Sequence, residues 1–136
     1  IDLRISGAGL QFDQISEKLK MHPDYIYKKD NNGCTFNQEI TQREDCWITG
    51  IQISDAKSVT SELENFIESF KETQKFLKDL TKKYTVTIWL SIYTEDEQKN
   101  VHLSNKFIDF LYETKIVFDC NYTYLKDIFQ NNYNLN

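Results

Sequence analysis

The 136-residue chain contains few of the residues that interrupt or cross-link a fold. One proline and four glycines are too few for long disordered linkers of the Pro/Gly-rich kind. The three cysteines, Cys34, Cys46 and Cys120, are an odd number without metal-ligand spacing, so we predict reduced structural thiols rather than disulfides or a zinc site. We therefore expect one domain over residues 1–136 with its own hydrophobic core, ending in a frayed Asn-rich tail at 130–136.

Long hydrophobic runs and basic clusters are also missing. No apolar run approaches the roughly 20 residues that span a bilayer, and no charged segment followed by an apolar one opens the sequence. We therefore expect a cytoplasmic protein that does not bind membranes. The net charge is −5, and residues 34–74 carry eight acidic and three basic side chains, which accounts for all of it. Because phosphate binding needs a basic surface, nucleic acid is not expected as a ligand.

The residue groups typical of enzymes are absent from the sequence pattern. His22 and His102 have no spaced His, Cys or carboxylate companion of the kind that forms a metal site or a triad. The carboxylates at 95–97 lie in a predicted charged turn, without apolar neighbours that would raise a pKa. There is no phosphate-binding glycine loop and no nucleophilic serine elbow. We expect a protein that is not an enzyme and that needs no metal and no cofactor.

What the sequence does contain is a regular alternation of strand-like and helix-like segments. Period-two apolar patterning predicts strands at 2–6, 25–27, 46–54, 85–93 and 115–124. Helical spacing predicts a helix capped by Asp13 that ends before Pro23, one behind a capping box at Ser61–Glu64, and one capped by Ser104. A break in the second helix is expected at 71–74.

This order of elements predicts an α+β fold of the split βαβ (ferredoxin-like) type. An antiparallel sheet is expected to carry helices on one face and to be extended by a C-terminal helix and strand. The other sheet face is then free to accept a partner. The polar segment 30–44 is long for a connection, and Cys34, Phe36 and Ile40 leave a hidden strand, a mobile loop and a recognition loop all open.

The leading functional hypothesis is a stoichiometric binding protein, and most concretely an immunity protein that neutralises a cognate bacterial toxin. Many toxins that attack nucleic acids present basic clefts that an acidic surface can occupy and find quickly. The predicted partner-binding residues are acids within or near the acid-rich segment: Glu39, Glu44, Asp45, Asp55 and Glu62.

Two other functions remain open. A sensor of a small ligand or peptide would use an aromatic sheet face around Tyr27, Trp47, Trp89 and Tyr93. A structural homodimer joined through a sheet edge is the third.

Several short motifs resemble the bacterial family labelled domain of unknown function 4279. They are Arg4-Ile5-Ser6-Gly7, Phe12-Asp13-Gln14-Ile15, Leu19, Pro23, Lys28-Lys29, Trp47 and Phe118-Asp119. The chain departs from the family pattern at Lys20 and Asp30, where glycines would be expected, and in its longer segment before Trp47. The resemblance implies a small α+β protein of undefined activity, with no catalytic residues to carry over.

Overall fold

The computed structural model describes residues 1–29, 33–35, 38–40, 44–53, 57–94 and 100–124. Its strands are β1 (Asp2–Gly7), β2 (Tyr25–Tyr27), β3 (Gly33–Thr35), β4 (Gln38–Ile40), β5 (Asp45–Gly50), β6 (Thr85–Thr94) and β7 (Val117–Tyr124). Its helices are α1 (Phe12–Leu19), α2 (Val59–Glu68), α3 (Gln74–Leu80) and α4 (Asn105–Thr114). None of the helices in these ranges is long and apolar enough to cross a membrane. The tail predicted at 130–136 lies outside the described residues.

The main sheet has five strands in the order β2-β5-β1-β6-β7. β1 pairs antiparallel with β5 and β6, and β2 pairs antiparallel with β5. This is the order of a split βαβ unit, so the predicted α+β fold class is confirmed. β7 is parallel to β6, because α4 carries the chain back along the sheet before β7 begins. The C-terminal extension therefore makes the sheet mixed.

One face of the sheet is packed against the helices and forms the core. From the strands, the buried residues include Leu3, Ile5, Trp47, Val86, Ile88, Leu90 and Ile92. The helices contribute Ile15, Leu19, Leu63, Phe66, Ile67, Leu77, Leu80, Phe107 and Phe110. The buried residues recur at every second position in the strands and at every third or fourth position in the helices, so each element buries one side. A single layer of helices therefore covers a single face of the sheet.

The helix boundaries agree with the sequence at two of four informative positions. Asp13 is wrong as the cap of α1, because Gln11 is the residue before the first turn and Asp13 already lies inside the helix. A 3-10 turn at Lys71–Thr73 separates α2 from α3, as predicted. The Ser104 hydroxyl accepts a hydrogen bond from the Phe107 N–H (3.3 Å) and caps α4, also as predicted. The capping box at Ser61 is wrong, because Ser58 is the extended residue before the first turn and Ser61 already lies inside α2.

The segment 30–44 contains a short hairpin. β3 and β4 pair antiparallel, with Gly33 opposite Ile40 and Thr35 opposite Gln38. The hidden strand is therefore the correct one of the three alternatives for the described part of this segment. Phe36 lies outside the described residues.

The thiols differ from the expectation of buried structural cysteines. Cys46 is half-buried and Cys120 is exposed, and both are free. Burial raises the pKa of the Cys46 and Cys120 thiols, so both favour the neutral form. Cys120 is exposed because it lies in β7, at one end of the strand order.

Lys20 holds a backbone conformation that favours glycine. It ends α1 in the left-handed region with φ 56° and ψ 36°, and its N–H bonds back to the Glu17 carbonyl. The Lys20 side chain forms an ion pair from its Nζ to Glu72 (3.1 Å), which replacement by glycine would remove. Because both side chains are largely exposed, this ion pair contributes little to the stability of the fold. The expectation of glycine at this position thus has a backbone explanation.

We predict that Lys20→Gly raises the free energy of unfolding by about 1 kcal/mol over Lys20→Ala, because only glycine adopts the left-handed region without a Cβ penalty. Both variants lose the ion pair, so their comparison isolates the backbone effect. Urea unfolding of the two proteins measures it. Equal stabilities would contradict this explanation of the helix end.

Candidate functional site: the uncovered sheet face

The side of the sheet opposite the helices is a second face, which none of the described helices covers, and we call it the uncovered face. Residues that lie directly opposite each other in paired strands point to the same side. Arg4 therefore shares this face with Ile48 and Thr87, its partners in β5 and β6, and Tyr25 extends the row from β2. The neighbouring rows are Tyr27-Cys46-Ser6-Thr85 and Gly50-Asp2-Trp89.

A wide groove of about 1230 Å³ runs across part of this face and continues to residues 51–53, Lys57 and Val59, which lead from β5 into α2. Tyr25 and Tyr27 line it on one side, Ser91 and Tyr93 on the other, and Arg4 lies between them. Exposed aromatic rings are concentrated at both sides, since Tyr25 and Tyr93 are each 62% accessible. The Tyr25 and Tyr27 rings are stacked with centroids 6.4 Å apart and planes 18° from parallel. The groove is therefore an aromatic surface with a charged side chain at its middle.

Arg4 is held in place by two contacts. Its guanidinium carbon lies 4.4 Å from the centroid of the Trp89 ring. Its Nη2 donates to Asp2 Oδ2 at 2.9 Å. The Trp89 indole Nε1 in turn donates to the Ser91 hydroxyl at 2.9 Å, which fixes the ring. Arginine, tryptophan and serine thus form one ordered group on the uncovered face.

Of the four aromatic residues predicted for ligand binding, three lie on this face and one does not. Tyr27, Trp89 and Tyr93 belong to the uncovered face by strand register. Trp47 is wrong as a member of the set, because it pairs with Ile5 and Ile26 and points to the helices. It is fully buried, and its indole N–H donates to the Ser16 hydroxyl in α1 at 3.0 Å. Trp47 is a core residue.

The five predicted acidic residues are placed on separate elements. Glu39 lies in β4, Glu44 just before β5, Asp45 at the first position of β5 and Glu62 in α2, while Asp55 lies outside the described residues. The Glu44 side chain is exposed. The Glu62 side chain is 13% accessible and lies 3.4 Å from Lys57 Nζ. Where their side chains are described, these acids do not form one continuous patch.

Asp45 has a structural role that the sequence did not indicate. One carboxylate oxygen accepts from the backbone N–H groups of Gly9 (2.9 Å) and Leu10 (3.1 Å), and the other accepts from the Lys29 N–H (2.8 Å). The hydrogen bond from Lys29, reinforced by those from Leu10 and Gly9, holds the pKa of this carboxyl below its ordinary value. Asp45 joins the turn after β1 to the segment after β2.

Sequence reasoning also missed two residues of the uncovered face. Arg4 stands between Leu3 and Ile5, and a cation between two core positions of a strand must point away from the core. Tyr25 is two residues from Tyr27 in one strand, so the two share a face. The alternation rule would have found both. Over the described ranges, no three His, Cys, Asp or Glu side chains are grouped so that they could hold a metal ion.

We predict that Asp45→Asn lowers the thermal midpoint at neutral pH, because the amide loses the charge that strengthens three backbone hydrogen bonds. The pKa of Asp45 is lower in the folded protein than in the unfolded chain, where it is about 3.9, so the charged carboxylate stabilises the fold at any pH above that unfolded pKa. This stabilisation is lost as the pH falls through the pKa of the folded protein. The gap between wild type and variant should therefore close in acid. Thermal unfolding followed by circular dichroism from about pH 7 to 3 measures it, with the exposed neighbour Glu44→Gln as control. A gap that is constant with pH would contradict the assignment.

Comparison with known proteins identifies the family of the chain. No curated protein and no solved structure matches it significantly. The model of the family described as "Domain of unknown function (DUF4279)" matches residues 1–125. Since this match covers most of the chain, from β1 to the end of β7, the protein belongs to that family.

Proposed function

We propose that this chain is a non-catalytic binding protein that engages a protein partner through its uncovered sheet face. The observation that carries the proposal is the wide groove between Tyr25 and Tyr27 on one side and Tyr93 on the other. All three rings are exposed although they stand on strands of the five-stranded sheet. Apolar surface that a protein leaves in water on a rigid element is typical of an interaction site.

The residue types on the face favour a protein as the partner. Tyr, Trp and Arg are the side chains that most often dominate protein interfaces, and this face carries all three. Ser6, Thr85, Thr87 and Ser91 place hydroxyls between them. The groove is larger than the roughly 300–1,000 Å³ of ordinary small-molecule pockets, and its lining is spread over four strands. An extended surface of this kind suits a protein segment.

The more specific proposal is an immunity protein that holds a basic bacterial toxin domain inactive in the cytoplasm. It is supported by the net charge of −5 and by the position of Glu44, which precedes β5 on the side of Tyr27 and Cys46. Acidic groups around an aromatic centre accelerate encounter with a basic partner, while the centre supplies most of the affinity. Asp45 is left out of this role because its carboxylate is used within the fold.

A sensor of a small ligand or peptide is the second candidate. It is favoured by the contact of Trp89 with Arg4, which would let a ligand in the groove change the environment of an indole. Such a ligand would alter tryptophan fluorescence in the absence of any protein partner. A homodimer joined through a sheet edge would instead double the mass measured by light scattering.

We predict that Tyr25→Ala and Tyr93→Ala each weaken binding of the toxin encoded by the adjacent gene by about tenfold or more, as loss of a central aromatic residue does. The matched control is Tyr112→Ala. Tyr112 is also highly exposed, at 74%, but it lies on α4 in the helical layer. Co-expression, co-purification and titration calorimetry measure the effect. Failure of any complex to form would contradict the immunity proposal, and equal losses in all three variants would contradict the face.

Charge should affect the rate of association more than affinity. We predict that Glu44→Lys slows association with the toxin severalfold at low salt, and that the effect fades as salt screens it. Asp109→Lys makes the same charge change on α4, where the residue is exposed on the helical layer, and should have little effect. Stopped-flow mixing at two salt concentrations measures both rates. Equal slowing by both variants would mean that net charge alone, and not its position, controls encounter.

A further inference from the structure

Arg4 has unused hydrogen-bonding capacity in the middle of the uncovered face. A guanidinium carries five N–H donors, and Arg4 uses one of them for Asp2. Its Nε is buried and has no hydrogen-bond partner within the described part of the chain. The side chain is nevertheless 34% accessible and lines the groove. The Nη donors that Asp2 does not use are therefore the ones that a bound group can reach, whereas the buried Nε is not accessible to it.

The guanidinium is also held in place by its neighbours. The stacking on Trp89 fixes one side, and the bond to Asp2 fixes one end. An ordered planar fork loses little conformational entropy on binding, and its geometry matches the two oxygens of a carboxylate. A lysine in this position would offer only a point charge.

The surrounding charges select a singly charged anion. Lys57, the other cation that lines the groove, pairs with Glu62, and Asp24 accepts from the Gly50 N–H at 2.8 Å. Asp2 stays beside Arg4, so a doubly charged phosphate would meet a nearby carboxylate as well as a chain of net charge −5. A singly charged carboxylate would be repelled less by Asp2 than a doubly charged phosphate, and it can bind the guanidinium of Arg4 together with Asp2.

We propose that Arg4 binds a carboxylate carried by an acidic side chain of the protein partner. The apolar neighbours of that side chain contact Tyr25 and Tyr93. This inference rests on the proposed function, because it names the chemistry of the partner segment that enters the same groove. Arg4 then gives the interface its orientation, while the tyrosines supply apolar contact area.

Variants of Arg4 and Asp2 test the proposal in the complex with the adjacent gene product. Arg4→Lys keeps the charge and loses the fork, so we expect about tenfold weaker binding. Asp2→Asn keeps an oxygen that can accept the hydrogen bond from Arg4 but removes the competing negative charge, so it should bind more tightly than wild type. Asp109→Asn, which makes the same charge change as Asp2→Asn at an exposed position on α4, is the control for charge alone. Circular dichroism and thermal unfolding confirm that each variant is folded. Unchanged affinity in a folded Arg4→Lys variant would overturn the inference and leave the proposed function standing.

A small probe separates the two proposals. Phenylacetate carries an aromatic ring and a carboxylate, and phenylacetamide is its neutral counterpart. We expect the acid to change tryptophan fluorescence with at least about tenfold higher affinity than the amide, and Arg4→Lys to remove that preference. Equal binding of the two probes, or binding of neither, would overturn Arg4 as an anion-binding group. Arg4-dependent binding of the acid without any complex with the toxin would overturn the partner as the source of the carboxylate and favour the sensor.

Discussion

Right-handed crossover connections place all the helices of this fold on one side of its sheet. The chain passes from β1 to β2 through α1, and from β5 to β6 through α2 and α3, between strands that run in the same direction. The first connection leads toward the β2 edge of the sheet, and the second leads toward the β7 edge between strands that run in the opposite direction. When both the strand direction and the direction across the sheet are reversed, a right-handed connection stays on the same face of the sheet. The passage from β6 through α4 to β7 obeys the same rule.

The uncovered face is thus a consequence of topology, and its composition reflects two opposing demands. A sheet face in water must stay soluble, which explains the hydroxyl side chains of Thr85 and Ser91 in β6. A face that only needed solubility would not keep Tyr25 and Tyr93 largely exposed. These rings are exposed because the helices of the described ranges lie on the other side of the sheet, and this is the physical basis for assigning the binding surface to the sheet.

Elements with a strong periodic pattern could be predicted from the sequence, whereas choices between two similar faces could not. The strand at β6 alternates large apolar residues with hydroxyls, so its core face was unambiguous. In β5 the pattern is weak, because Cys46 and Ile48 on one side are as apolar as Trp47 and Thr49 on the other. Trp47 was therefore assigned to the wrong face. Only its pairing with Ile5, which is a long-range contact, decides the matter.

Asp45 shows a second limit of sequence reasoning. Its position in an acid-rich segment made it look like part of a charged surface, yet its carboxylate is used by the N–H groups of Gly9, Leu10 and Lys29. These donors come from two segments, 16 and about 35 residues away in the chain. Charge counting cannot detect such a partner set. The helix start at Ser58 escaped prediction for a related reason, since Ser61 offers the same local signal and only packing selects between them.

Arg4 links the fold to the proposed binding role. Its neighbours Leu3 and Ile5 are fully buried in the central strand, so the backbone at Arg4 is rigid and its side chain must leave on the uncovered face. An unpaired buried N–H costs about 1–3 kcal/mol, and a stable fold would ordinarily satisfy it or replace the residue with an uncharged one. Stacking on Trp89 and pairing with Asp2 offset part of that cost. A guanidinium that is rigidly mounted, partly paired and open to a groove is better suited to binding an incoming anion than to stabilising the free protein, because its strongest contacts can form only when the groove is occupied.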